Sequence, residues 1–305
     1  MCTSFDQNKQ YKIFKKIYKE NCQIYKDHCY YVESKDNKSS KLISLDVNFI
    51  NETVFYEHKI TKLKNFNTEI SIEDIHTIDA IIENYDYGTP SFVEGNPSFV
   101  EGNPSFVEGN PSFVEGNPSF VEGTNIFCLN FASGDVPGGP GYKSNFSNTQ
   151  EDEIMRCSML YPCLLNSILD NFYSLYGGPS EPYYTDKVIY SPNVPVIRNS
   201  KFEFIEPIKC TFLTAAADNV ARYDVESKMP VKIFNVLQAA AYSGAETLIL
   251  GAWGCGEYMN NPKNISECFK NLLYGTFQNV FKKVIFAIIN KDDNNFNVFN
   301  NCFKN

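Results

Sequence analysis

Two short apolar runs stand out from the mixed pattern of this chain, Ile126 to Phe131 (IFCLNF) and Thr247 to Ala252 (TLILGA). Each is rich in β-favouring side chains and soon followed by glycine, the pattern of a buried strand leading into a turn. Weaker strand patterns lie between Leu42 and Ile72, at Lys187 to Ser191, at Lys209 to Ala215 and at Lys283 to Ile289. Helical periodicity fills the spaces between them. Residues 7 to about 28 place Ile13, Phe14, Ile17 and Tyr18 on one face and the lysines of Lys9 to Lys19 on the other, and Val231 to Ser243 is amphipathic. Ser71 to Asp74 has the spacing of a capping box and predicts a helix from there through about Tyr85. Strands alternating with helices indicate an α/β layered domain.

The residues just beyond each apolar run carry the candidate chemistry. Asn130 and Ser133 put short polar side chains at the end of the first run, and Gly138, Gly139 and Gly141 around Pro140 let a ligand approach the main chain closely. Thr149, Gln150, Glu151, Asp152 and Glu153 then open a helix. Three acids in a first turn suit the helix dipole in any protein, so this segment alone is as readily a capped structural helix as a site. The second run leads into Trp253, Gly254, Cys255, Gly256, Glu257, Tyr258, Met259 and Asn260, with a helix from about Pro262. Strand, glycine loop and helix is an arrangement that aims backbone N–H groups at phosphate oxygens. Neither a Walker loop nor the spaced glycines of a dinucleotide fold is present.

Together these segments resemble the microbial-type poly(ADP-ribose) glycohydrolases, a macrodomain family. The resemblance rests on NFAS at Asn130 to Ser133, PGGPG at Pro137 to Gly141, QEDE at Gln150 to Glu153 and LYP at Leu160 to Pro162. It continues in YSPNVPVIR at Tyr190 to Arg198 and LGAWGCGEYMNNP at Leu250 to Pro262. It implies a three-layer α/β fold with a central mixed sheet, and a glycine loop followed by a Gln-Glu-Glu signature whose second glutamate is the catalytic acid. The matching positions here are Gln150, Glu151 and Asp152, so an aspartate stands where the family has its acid. The resemblance implies Asp152 as acid, with Glu151 assisting it or orienting the ribose. It implies Asn130 on the distal ribose, with Ser133, Gly138, Gly139, Gly141 and Gln150 around it. Gly254, Cys255, Gly256, Glu257 and Tyr258 would surround the diphosphate. Pro140 at the third glycine position, a longer loop before Gln150, and Met259 in place of a small residue are further departures.

Composition narrows the alternatives. With 27 basic against 36 acidic residues and a formal net charge of −9, the chain lacks the basic field of a general nucleic-acid binder. The ten cysteines form no Cys-x-x-Cys pair, and three histidines at His28, His58 and His76 suggest no Cys–His nucleophile near either motif. No metal or cofactor is implied, and no run approaches the roughly 18 apolar residues of a membrane span. Without an N-terminal apolar segment, an intracellular protein, cytoplasmic or nuclear, is expected.

Residues 90–124 are five tandem heptads, PSFVEGN four times and PSFVEGT once. Proline and glycine in every unit rule out a coiled coil, and an extruded spacer loop is expected, with a protein-binding surface as the alternative. The expected organisation is an N-terminal helical extension with the start of the domain over 1–89, the repeat insertion over 90–124, the catalytic core over 125–290 and a solvated Asn-rich tail over 291–305. The function expected is metal-independent, acid-assisted hydrolysis of an ADP-ribosyl glycosidic bond, on polymer or mono-ADP-ribosylated substrate. A module that binds ADP-ribose without turnover and a repeat-mediated interaction protein are the alternatives.

Overall fold

The computed structural model describes residues 4–33, 40–56, 65–85, 125–144, 147–173, 184–222, 227–290 and 293–304. The heptad repeats lie outside these residues. In chain order the elements are α1 (Ser4–Asp27), β1 (Cys29–Glu33), β2 (Ser40–Ser44), α2 (Asn48–Asn51), β3 (Val54–Phe55), β4 (Glu69–Glu73) and α3 (Thr77–Glu83). Next come β5 (Ile126–Ala132), α4 (Gly139–Ser144), α5 (Gln150–Cys157), α6 (Leu160–Leu164), a 3-10 turn, β6 (Ile189–Arg198) and β7 (Phe204–Ala216). The last are α7 (Met229–Tyr242), β8 (Thr247–Leu250), α8 (Pro262–Tyr274), β9 (Lys283–Ala287) and α9 (Asn294–Lys304).

Among the described residues, seven strands form one mixed sheet in the order β3-β6-β7-β5-β8-β9-β4. The β7-β5-β8-β9-β4 portion is parallel, while β6 and β3 join antiparallel at one edge. Strand alternation divides the core between the two faces: Ile126 and Cys128 pack in one cluster with α3, α5 and α6, and Phe127 and Leu129 in the other with α7 and α8. Both apolar runs are therefore central strands covered on both sides.

Three expectations are corrected. Ser71 to Asp74 does not open a helix: Glu69 to Glu73 pair in parallel with Lys283 to Ala287, and the helix begins at Thr77 after the extended N-cap residue His76. Pairing with β9 satisfies the backbone that a capping box would otherwise serve. The strands at 189–198 and 204–216 are longer than the hydropathy indicates, because β6 continues beyond its short pairing with β3, with Pro192 at the register shift between Ser191 and Val194 and Pro195 paired opposite Lys209. The Asn-rich tail is not solvated sequence either. Residues 294–304 are helical, and Phe299 is buried against Phe286, which Phe303 also touches.

The N-terminal helix α1 is fastened to α5. Asn21 donates to the carbonyls of Met155 and Arg156 at 3.2 and 3.0 Å, and the Arg156 guanidinium lies 3.6 Å from the Phe14 ring centroid. Glu20 pairs with the nearly buried Arg198 of β6 at 2.7 Å. This segment braces the helix whose first turn carries the acids.

Candidate active site

At the C-terminal edge of the parallel strands lies a cavity of about 480 Å³, within the usual range for small-ligand sites. The segments after β4, β5, β8 and β9 all reach it. Its wall near β5 is built by backbone competition. Strand β8 pairs with Ile126 to Cys128 only, and beyond that point the side-chain amide of Gln150 takes over, accepting from Phe131 N at 2.9 Å and donating to Leu129 O at 2.8 Å. Both ends of that amide are occupied, so Gln150 fixes the start of α5 against β5.

The three acids of that first turn diverge into three environments. Glu151 turns to the strand end, where its carboxyl accepts from Ser133 N at 2.8 Å and from Asn130 Nδ2 at 3.4 Å. Burial pushes it up to about 8; the Ser133 and Asn130 hydrogen bonds oppose that shift and the neighbouring Asp152 adds to it. Asp152 turns to the loop. Its Oδ2 accepts from the Ser147 hydroxyl, from Thr149 N at 3.0 Å and from Thr149 Oγ1 at 2.9 Å, completing a capping box with Thr149. Glu153 turns towards α3 and meets His76 Nδ1 at 2.7 Å.

The glycine loop closes over the first two acids. Gly139 has φ +71°, and a Cβ there would come within 2.8 Å of the Glu151 carboxylate, so glycine is required by conformation and by space. A Cβ at Gly141 would lie 2.5 Å from Asp152 Oδ2. Arg156 holds the far side of the loop, donating to Ser147 O at 2.7 Å and to Asn148 Oδ1 at 3.1 Å.

The second loop is pinned from below. Asn260 donates to Asp218 O at 2.7 Å and to Gly254 O at 3.0 Å, while buried Lys232 donates to three carbonyls, among them Ala216 O at 2.9 Å. The Lys232 ammonium also lies 3.3 Å from Asp218 Oδ1, an ion pair without hydrogen-bond geometry at that oxygen. Gly254, Gly256, Glu257 and Tyr258 face the cavity, and the Tyr258 ring lies 5.9 Å from that of Tyr184. Open space surrounds the Gly256 Cα.

Of the sequence-derived residues, Ser133, Gly139, Gly141, Gln150, Glu151, Asp152, Gly254, Gly256, Glu257 and Tyr258 come together around this cavity. Asn130, Gly138 and Cys255 lie behind its wall. Asn130 is fully buried, with its carbonyl oxygen unpartnered among the described residues. Gly138 backs onto the Tyr161 ring, and the Cys255 thiol packs into the core with burial pushing it up to about 12, which leaves it an inert thiol. The sequence reading missed Ile75, His76 and Thr77 from the β4 end and Ala287 to Ile289 from the β9 end. The parallel pairing of β4 with β9 was the signal, and it is non-local.

The comparisons agree with this geometry. The profile of the microbial-type PARG catalytic domain matches residues 18–199, more than half of the chain. The poly(ADP-ribose) glycohydrolase of Thermomonospora curvata superposes with a TM-score of 0.71 at 24% identity, over 96% of this chain and 100% of that one. The same enzyme bound to the inhibitor ADP-HPD gives 0.68 at 24% identity, over 94% and 98%. The Deinococcus radiodurans enzyme in complex with ADP-ribose gives 0.60 at 25% identity, over 79% and 85%. A search of curated proteins returns no match. The chain belongs to the family of microbial-type poly(ADP-ribose) glycohydrolases, and it is an ADP-ribose glycohydrolase.

Proposed function

We propose that the cavity of this macrodomain-like fold binds ADP-ribose and that Glu151 and Asp152 divide the acid–base work of hydrolysis. The observation that carries this reading is the pair of adjacent buried acids beneath the glycine loop, one of which burial holds protonated at neutral pH. Glycoside hydrolysis needs one carboxylic acid to protonate the leaving oxygen and one carboxylate to assist water or the oxocarbenium-like centre. Glu151 has the proton. It passes to the leaving ribose oxygen as the C–O bond breaks, and water adds to the anomeric carbon while losing a proton to Asp152. Three donors converge on Asp152 Oδ2 and fix the orientation of its carboxyl group. Loop N–H groups after β8 are suited to the diphosphate.

The family signature supports a second reading, with Asp152 as the acid and Glu151 orienting the ribose together with Asn130. Turnover of poly(ADP-ribose) by Glu151→Gln and Asp152→Asn, compared with an aryl ADP-ribose whose leaving group departs without protonation, separates the two. The variant lacking the acid recovers on the activated substrate, and the variant lacking the base does not. Under the first reading Glu151→Gln recovers, and the wild-type kcat/KM falls as pH rises past about 8. Recovery of Asp152→Asn alone establishes the second. Calorimetry with ADP-ribose should give a Kd in the micromolar range, about −8 kcal/mol. If the wild type binds ADP-ribose and neither substrate is turned over, both assignments are wrong.

A further inference from the structure

The ligand of this cavity carries a diphosphate, yet the described side chains around it are acidic: Asp135, Glu151, Asp152, Glu153, Glu257 and Asp293 line it, and no lysine or arginine among the described residues does. His76 is the lining residue that can carry positive charge. It stands at the N-cap of α3, where the end of β4 brings it to the same sheet edge as the glycine loops. Its side chain is 43% exposed, while that of its partner Glu153 is 8% exposed. A carboxylate 2.7 Å from Nδ1 accepts the Nδ1 proton, which leaves Nε2 as the variable position. In the neutral ring Nε2 offers a lone pair; in the imidazolium it offers an N–H.

We propose that His76, oriented by Glu153, is a ligand-binding residue that donates from Nε2 to the anionic part of ADP-ribose. This inference rests on the reading of the cavity as an ADP-ribose site. Neutral His76 beside ionised Glu153 adds a net negative charge to a cavity receiving a dianion, whereas imidazolium beside the same carboxylate cancels it. Glu153 from α5, Asp79 from α3 and Asp74 from the segment after β4 act on the ring. The hydrogen bond to Glu153 is the largest influence and raises its pKa above the usual histidine value against the opposing effect of burial. The donor is therefore present below that raised pKa and is lost as pH rises through it.

The test is calorimetric titration of the full chain with ADP-ribose from about pH 5.5 to 9, using wild type, His76→Gln and Glu153→Gln. Wild-type affinity should fall by about tenfold across the histidine titration. His76→Gln should bind at the weak level at pH 6 and lack that step, keeping only the change due to Glu151. Glu153→Gln should move the step to lower pH. By linkage, saturating ADP-ribose should raise the His76 pKa read from its ring proton shifts, a change that a purely structural His76–Glu153 pair would not show. A His76→Gln variant that binds as tightly as wild type at pH 6, or an unmoved His76 shift on saturation, overturns the proposal. If the wild type binds at no pH, the ADP-ribose reading fails, and this inference with it.

Discussion

In the proposed mechanism Glu151 is the acid, and the burial that keeps its proton at neutral pH also makes its ionisation unfavourable to the fold. Its pKa rises from 4.5 to about 8 on folding, so folding takes up a proton between those values. The stability it contributes is therefore fully present below the unfolded value and is lost as pH rises through about 8. Glu151→Gln keeps the shape and cannot ionise, so its melting temperature relative to wild type should rise steadily from pH 5 to about 8 and level off beyond. Scanning calorimetry at several pH values checks this, and a difference independent of pH would mean that the carboxyl is not desolvated. The sequence located this residue through the order strand, glycine, Gln-Glu-Asp. It could not say which acid holds the proton, because that depends on which way each side chain leaves the first turn. Gln150 showed the same limit: its position was legible, but its amide serves the β5 backbone.

At the scale of elements, α9 shows how composition can mislead. Asparagine predominates in residues 291–305 and reads as solvated, yet Phe296, Phe299 and Phe303 recur at helical spacing and present one aromatic stripe. That stripe packs against Phe286 of β9 and Tyr274 of α8, with ring centroids 5.4 Å apart for Phe286 and Phe299 and 6.4 Å apart for Tyr274 and Phe303. Phe299 is fully buried, so Phe299→Ala should cost about 3 kcal/mol or more, whereas substitution of its half-exposed neighbour Asn300 should cost little. Urea denaturation of the two variants makes the comparison, and equal midpoints would show that α9 does not contribute to the core. Strands β5 and β8 were legible because each is a short apolar run covered on both faces. Strand β4 was legible only in part, because the weak β pattern runs to Ile72 while Ser71 to Asp74 also has capping-box spacing, and the pairing with β9 that decides between them lies some 200 residues away.

At the scale of the whole molecule, the repeat divides the chain between α3 and β5, with α1 to α3 and strands β1 to β4 before it and both glycine loops after it. Helix α3 ends at Glu83 and β5 begins at Ile126, and the five heptads fall between these two points. We propose that they are a spacer: proline and glycine in every unit oppose regular structure, and closure entropy grows only slowly with loop length. Deleting residues 97–124 removes four units and leaves one PSFVEGN to bridge α3 and β5. On the logarithmic scaling of closure entropy, shortening this connection should stabilise the chain by about 1 kcal/mol or less, and the ADP-ribose affinity should not change. Thermal melts and calorimetry of the two forms are the direct measurements. A fall in melting temperature of more than a few degrees would mean that the Phe and Val of the repeats pack on the domain. Unchanged stability with a weakened ADP-ribose affinity would instead place the repeat at the cavity, whose His76 wall lies just upstream of it in the chain.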